Sequence, residues 1–236
     1  MNAQTDYLTT NWARVRGRVD QACRDAGRDP AEVTILPVSK TFGPELIRAA
    51  VALGLHRFGE NKAQEVREKS PVLADCGIDW VMIGHLQTNK AKDVARLASE
   101  VQSLDRLELA EALHRRLQHE GRAIDVLVQV KTSDEPSKYG LPPDQLPAFL
   151  DTLRGFDTLS VRGLMTLAVQ SDEAEQVRRC FRDLRELRDQ AAARGHALPR
   201  LSMGMSGDFA LAIAEGATEV RIGSAIFGAR SYAPPV

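Results

Sequence analysis

Long apolar runs, an excess of one charge, paired cysteines and low-complexity linkers are all missing from this chain of 236 residues. Its longest apolar run, AAVALGL at residues 49–55, falls far short of the roughly 20 residues a membrane-spanning helix needs, which predicts a soluble protein. The N-terminus, MNAQTDYLTTNWARVRGRVDQAC, has no apolar core of the kind a secretory signal carries. Its arginine-rich face resembles a transit peptide, an idea that Asp6 and Asp20 weaken. With 31 basic and 32 acidic side chains the net charge is −1, so nothing draws the chain generally to nucleic acid or an anionic membrane. Cys23, Cys76 and Cys180 are odd in number, far apart and without metal-like spacing, and imply free thiols in a reducing, cytoplasmic compartment. Walker loops, dinucleotide fingerprints and paired Cys motifs are absent. His114 and His119, five apart on a predicted helix, read as surface residues and not as metal ligands.

What is present is alternation. Leu8, Trp12, Val15, Val19 and Cys23 recur at helical spacing and predict an amphipathic helix over about 6–26. Short apolar strands are then predicted near 33–39, 56–59, 78–83, 100–104, 124–130, 160–165, 200–203 and 219–222. Helical patterns lie between them at 44–54, 61–73, 88–98, 106–120, 143–154, 173–194 and 207–215. Strands separated by helices pair in parallel, because parallel neighbours need crossover connections. The expected fold is α/β: a single-domain (β/α)8 TIM barrel over about 33–230 with an extra N-terminal helix, the whole chain 1–236 forming one domain. A doubly wound open sheet is the competitor. The run RRCFRDLRELRDQAAARGH reads as a solvated helix face with Phe181, Leu184 and Leu187 inward.

Chemistry in such a barrel sits at the C-terminal strand ends. Lys40 closes the stretch TILPVSK and shares a face with Leu36 and Val38 by period two, so it points inward. Pro44 suits a first helical turn just beyond it. The alternative is a solvated loop lysine. LSMGMSGDFALAIAEG reads as a strand, a turn rich in Gly and Ser, and a helix whose first amides converge on an anion. EVRIGSAIFG follows with a second small-residue turn at Gly223 and Ser224, and barrels commonly bind phosphate with the loops after strands seven and eight. Those glycines would otherwise merely allow tight turns, with Ser206 as an N-cap. Arg221, between Val220 and Ile222, points into the barrel and needs a partner, for which Glu219 is the plain structural choice. A strand-end lysine, a phosphate cradle and an inward arginine suit a phosphorylated aldehyde held as a Schiff base. Pyridoxal 5′-phosphate fits because its ring nitrogen also needs a partner. An arginine there leaves that nitrogen unprotonated and the ring a weak electron sink.

The motifs LPVSKTF, RFGENKAQE, IGHLQTNK, PSKYG, GLMTL, LSMGMSGDF and EVRIGSAIFGAR, in this order, resemble the pyridoxal phosphate homeostasis proteins, relatives of the barrel half of alanine racemase. The resemblance runs from about residue 8 to residue 230. It implies that Lys40 carries the cofactor, that Ser206, Gly223 and Ser224 hold its phosphate, that Arg221 meets the ring nitrogen and that Asn61 lies beside the ring. It places Lys138 on a second family lysine thought to influence cofactor exchange. It further implies a cytoplasmic cofactor carrier or regulator with no established reaction, and PLP-dependent apoenzymes as its recipients. A monomer is expected. The chain departs from the family at Lys62 and Ala63, where Tyr-Val is common, at Val81, where His is common, and at Tyr139, usually smaller.

Three rivals stand beside the carrier: a PLP-dependent amino-acid racemase using the same lysine, a Schiff-base aldolase on a phosphorylated sugar, and a scaffold whose lysine does nothing. Racemisation needs an acid/base group on each face of a planar carbanion. The opposite face in alanine racemase is served by a tyrosine from a further domain, for which the chain has no room. Of Tyr7, Tyr139 and Tyr232, only Tyr139 is expected near the mouth.

Overall fold

The structure, a computed structural model, describes residues 3–133, 135 and 138–228. Tyr232 and the tail, and Ser137 of the PSKYG motif, lie outside the described residues. The helix α1 (Ala3–Asp25) precedes eight strands, β1 (Thr34–Pro37), β2 (Arg57–Glu60), β3 (Asp79–Met82), β4 (Ala98–Leu104), β5 (Ile124–Gln129), β6 (Leu159–Met165), β7 (Arg200–Ser202) and β8 (Glu219–Ile222). Between and after them come α2 (Pro44–Val51), α3 (Ala63–Val72), α4 (Ala91–Leu97), α5 (Leu107–Glu120), α6 (Leu146–Leu153), α7 (Ala174–Ala193), α8 (Phe209–Ala214) and α9 (Ser224–Phe227). Each strand pairs in parallel with its sequence neighbour, and β1 pairs with β8. A parallel bridge between Val38 and Gly59, with Ser39 N–H donating to the Gly59 carbonyl at 3.0 Å, joins β1 to β2 and closes the ring. That closure excludes the open sheet and gives the expected (β/α)8 barrel.

Boundaries moved by a few residues where local chemistry overrides pattern. Helix α8 starts at 209 and not 207, because Asp208 stands at the N-cap position in a non-helical conformation, its Oδ1 accepting the Met205 N–H at 2.5 Å. Strand β4 starts at 98, its pairing with β3 shifting register between Trp80 and Val81. Pro44 occupies the first turn of α2, after Gly43. Leu8, Val15, Val19 and Cys23 are buried where α1 lies along α2, α8 and α9, and Asn11 Nδ2 donates to the Ile226 carbonyl at 3.0 Å. Phe227 of α9 packs on Phe42 and Phe58, with ring centroids 5.2 and 6.4 Å apart. These contacts pin the end of β8 to the β1–β2 wall. Among the described residues, no helix is long and apolar enough to cross a membrane.

The barrel's interior is charged. Alternation turns Glu219 and Arg221 of β8, Glu100 and Gln102 of β4, Arg200 and Ser202 of β7 and Arg57 of β2 inward. Arg57 bridges Glu219 (2.5 Å) and Glu100 (2.8 Å), and Arg200 bridges the same two carboxylates at 2.8–3.0 Å. Gln102 Nε2 donates to both. Burial alone would push the Glu219 carboxyl up, but Arg57 and Arg200 outweigh it and hold the group below its ordinary range. Removing one partner from such a cluster strands the others without their charge answered. Glu219→Ala is expected to lose about 3–5 kcal/mol of unfolding free energy in urea melts. A loss under about 1 kcal/mol, the scale of a surface pair, would show that the network holds nothing together.

Candidate functional site

The pairing of β1 with β8 decides which side chains meet at the C-terminal rim. Leu36 lies opposite Arg221 and Pro37 opposite Ile222, and the Val38 N–H donates to the Ile222 carbonyl at 2.9 Å. The β1–α2 loop carrying Lys40 therefore rises beside the turn at Gly223. A Cβ on Gly223 would come within 3.2 Å of the Val38 carbonyl oxygen, so the two chains already touch. Lys40 is half-buried. Thr41, next in line, is the one non-glycine residue with positive φ (68°) among the described residues, a costly state for a β-branched side chain.

Both neighbours of Lys40 are held from behind the barrel wall. Lys69, buried on α3, donates to the Ser39 carbonyl (2.9 Å), to Glu60 Oε1 (2.7 Å) and to Glu65 Oε2 (2.8 Å). Ser39 Oγ donates to Glu60 Oε1 at 2.6 Å, and Thr41 N–H donates to Glu65 Oε2 at 2.7 Å. Glu60 Oε2 is buried with no hydrogen-bond partner among the described residues. Burial pushes the Glu60 carboxyl up to about 7, despite the opposing pull of Lys69.

Arg221, buried in the interior, donates from Nη1 to Ser202 Oγ (2.8 Å) and from Nη2 to the Thr166 carbonyl (2.7 Å). The direct ion pair with Glu219, the plain alternative for this arginine, is replaced by this arrangement. Glu219 is already taken by Arg57 and Arg200, and it reaches Arg221 only through Ser202, whose Oγ lies 3.0 Å from Glu219 Oε1. Burial pushes the guanidinium down to about 10, so it stays charged at neutral pH. Beside it the β7–α8 loop begins at Gly204, whose φ of 92° and whose missing Cβ, which would lie 2.6 Å from the Ala212 side chain, exclude any other residue without strain. Ser206 follows half-buried in the turn. It is not the N-cap, which is Asp208. Gly223 caps α9, and Ser224, its first residue, is exposed.

Asn61 follows β2, and a Cβ on Gly84 would come within 2.1 Å of its carbonyl oxygen, so the β3–α4 loop closes on it. Across the rim, Tyr139 stacks on His85 with ring centroids 3.8 Å apart. Lys138 Nζ donates to the Ala168 carbonyl at 3.1 Å. His85 Nδ1 lies 3.5 Å from Asp105 Oδ2, too far for a sound hydrogen bond. Of the family departures, Lys62 is exposed, Ala63 is buried in α3 and Val81 is fully buried. His114 is half-buried and bonded to Thr158, unlike the exposed His119, and no cluster of metal-ligating side chains occurs among the described residues. The sequence reading missed Ser202, Glu65 and Lys69, and it placed Thr166 and Glu60 at strand ends without giving either its role in holding Arg221 or the Lys40 loop. Ser202 was within reach of the same parity that turned Arg221 inward, and Glu65 and Lys69 stand one helical turn apart on α3.

The rim thus offers a primary amine at a strand end, two small-residue turns beside it and a fixed buried cation below. The family model described as "Alanine racemase, N-terminal domain" matches residues 5–231. A pyridoxal phosphate homeostasis protein of Aquifex aeolicus is 42% identical over 221 residues, covering 93% of this chain and 97% of the relative. An unknown protein from Bifidobacterium adolescentis superposes with a TM-score of 0.89 at 34% identity, over 96% of this chain and 97% of that one. PipY of Synechococcus elongatus, solved with PLP bound, superposes with a TM-score of 0.82 at 33% identity, over 94% and 100%.

Glu60 yields a test of the cluster behind the rim. Because its pKa in the fold is raised from 4.5 to about 7, the folded protein keeps a proton that the unfolded chain releases in that window. Its contribution to stability is present below the lower value and lost as pH rises through the upper one. Thermal melts from about pH 5 to about pH 8 should show the parent losing stability relative to Glu60→Gln, then running parallel to it. Parallel curves throughout would mean an ordinary carboxylate.

Proposed function

The chain belongs to the alanine racemase N-terminal domain family, and within it to the pyridoxal phosphate homeostasis proteins; from that premise we propose that it binds pyridoxal 5′-phosphate and takes part in intracellular handling of that cofactor as a carrier or regulator, without catalysis. The observation that carries this reading is the β1–β8 pairing, which sets the Lys40 loop, the buried Arg221 and the Gly223–Ser224 turn side by side. The donor set fits the cofactor's chemistry: an amine for its aldehyde, small-residue turns for its phosphate and a permanent cationic donor for its ring nitrogen. When bound, pyridoxal phosphate supplies an aldehyde that exchanges reversibly between amines. Lys40 Nζ would be its covalent anchor, and Ser206, Gly223 and Ser224 would take the phosphate. Arg221 would face the ring nitrogen, and Asn61 would lie beside the ring.

The absence of catalysis rests on two of the chain's own residues. Arg221 is held by the Ser202 hydroxyl and the Thr166 carbonyl, and a fixed guanidinium donates a proton that the pyridine nitrogen does not acquire for itself. That withholds the pyridinium that best delocalises a carbanion and so works against transamination. Tyr139, the rim tyrosine, has its ring stacked on His85. Cys23, Cys76 and Cys180 are all free and buried, which supports a reducing, cytoplasmic setting. A match running from residue 5 to 231 supports one domain, and we read the protein as a monomer whose recipients are PLP-dependent apoenzymes.

Borohydride reduction of the pyridoxal-phosphate-loaded protein, followed by peptide mapping, is expected to place the label on Lys40. A label on Lys62, Lys90 or Lys138 with Lys40 unmodified would overturn the assignment. Incubation with L-alanine in deuterated water is expected to give no rapid α-deuteration and no D-isomer. Their appearance, with loss in Lys40→Ala, would establish the racemase instead and make Tyr139 the suspected second base.

A further inference from the structure

A lysine that must meet an aldehyde is useful only if its Cα is fixed, because four methylenes already leave its amine a wide sphere to explore. In this barrel the fixing comes from outside. Ser39 and Thr41 flank Lys40, Ser39 with its Oγ on Glu60 Oε1 at 2.6 Å and Thr41 in the turn that follows β1. Both are tied to α3. The Ser39 carbonyl is held by Lys69 Nζ at 2.9 Å and the Thr41 N–H by Glu65 Oε2 at 2.7 Å. Lys69 and Glu65 are themselves paired at 2.8 Å, so the two grips form one unit. The three donors of the Lys69 ammonium are used up by Ser39, Glu60 and Glu65.

The grip coincides with strain. Thr41 has φ 68°, a state that persists only where the surroundings over-determine it. The amide donated to Glu65 belongs to that same residue. Stability alone does not call for such a cluster, since buried ion pairs are often replaceable by packed apolar side chains without loss.

We propose that Lys69 and Glu65 are positioning residues that set the reach of Lys40 by clamping the peptide on either side of it. This rests on the reading of Lys40 as the cofactor's anchor. Their contacts are with the peptides of the β1–α2 loop, and both would act through it.

The test compares two probes that share ring and phosphate. Pyridoxal 5′-phosphate needs the amine, whereas 4-deoxypyridoxine 5′-phosphate, which has no aldehyde, needs only the phosphate turns and Arg221. Glu65→Ala is expected to weaken pyridoxal phosphate about tenfold and leave the deoxy probe within about twofold of the parent. Lys69→Met is expected to show the same split, larger, and Glu65→Gln, which keeps an acceptor for the Thr41 amide, should return towards the parent. Thermal melts check folding, and Glu65, being partly exposed, is the milder site if Lys69→Met unfolds. The inference is overturned if both probes weaken equally, or if Glu65→Ala holds pyridoxal phosphate as the parent does. Failure of the parent to take a borohydride label at Lys40 would instead sink the reading of the site, and this inference with it.

Discussion

Glu219 lies with its carboxylate fully inside the barrel, and two arginines, a glutamine and a serine converge on it. A carboxylate in that position costs several kcal/mol unless its charge and lone pairs are answered, on the order of what one domain can spare. Arg57 and Arg200 answer the charge from the N-terminal end of the barrel, while Gln102 and Ser202 take the remaining oxygen. The consequence runs upward. Ser202 has one proton to give and points it into this cluster, so its oxygen is left to accept from Arg221. Arg221 is thereby oriented by a chain that begins at the floor and ends beneath the rim. Its second grip, the Thr166 carbonyl, is an acceptor only, so a carboxylate side chain at position 221 would face repulsion there.

At the rim, the fold supplies proximity and the local chemistry supplies rigidity. Pairing β1 with β8 is what a closed barrel demands of its first and last strands, and it brings residues 185 positions apart into register. Rigidity comes from α9, packed through Phe227 onto Phe42 and Phe58, and from α3, whose Lys69 and Glu65 hold the peptides around Lys40. The loop that carries Lys40 is thus fastened on the wall's outer face.

How much of this was legible in the sequence follows from the range of the forces involved. The alternation of strand and helix, the inward parity of Arg221, and Pro44 at a helix start are local, and each was readable from spacing. The partner of Arg221 was not. Glu219, two residues away on the same strand, looked like its counter-ion, but Arg57 and Arg200 come from strands 162 and 19 positions distant and take that carboxylate first. The Asp208 cap that delays α8 depends on a turn closing back to Met205, which a helical pattern starting at 207 does not register. The cluster around Lys69 lies between wall and helix, where charged residues read as solvated surface until the docking of α3 on β1 and β2 is known.

The most direct measurement is the protonation state of the ring nitrogen, read by nitrogen NMR on protein loaded with pyridoxal 5′-phosphate labelled at that atom. If Arg221, held by Ser202 and Thr166, meets the ring nitrogen as proposed, the nitrogen should give the signal of an unprotonated, hydrogen-bonded pyridine that does not move across neutral pH. A pyridinium signal, or one that titrates there as the free cofactor does, would contradict the arrangement in which the Glu219 network holds Arg221 against the cofactor.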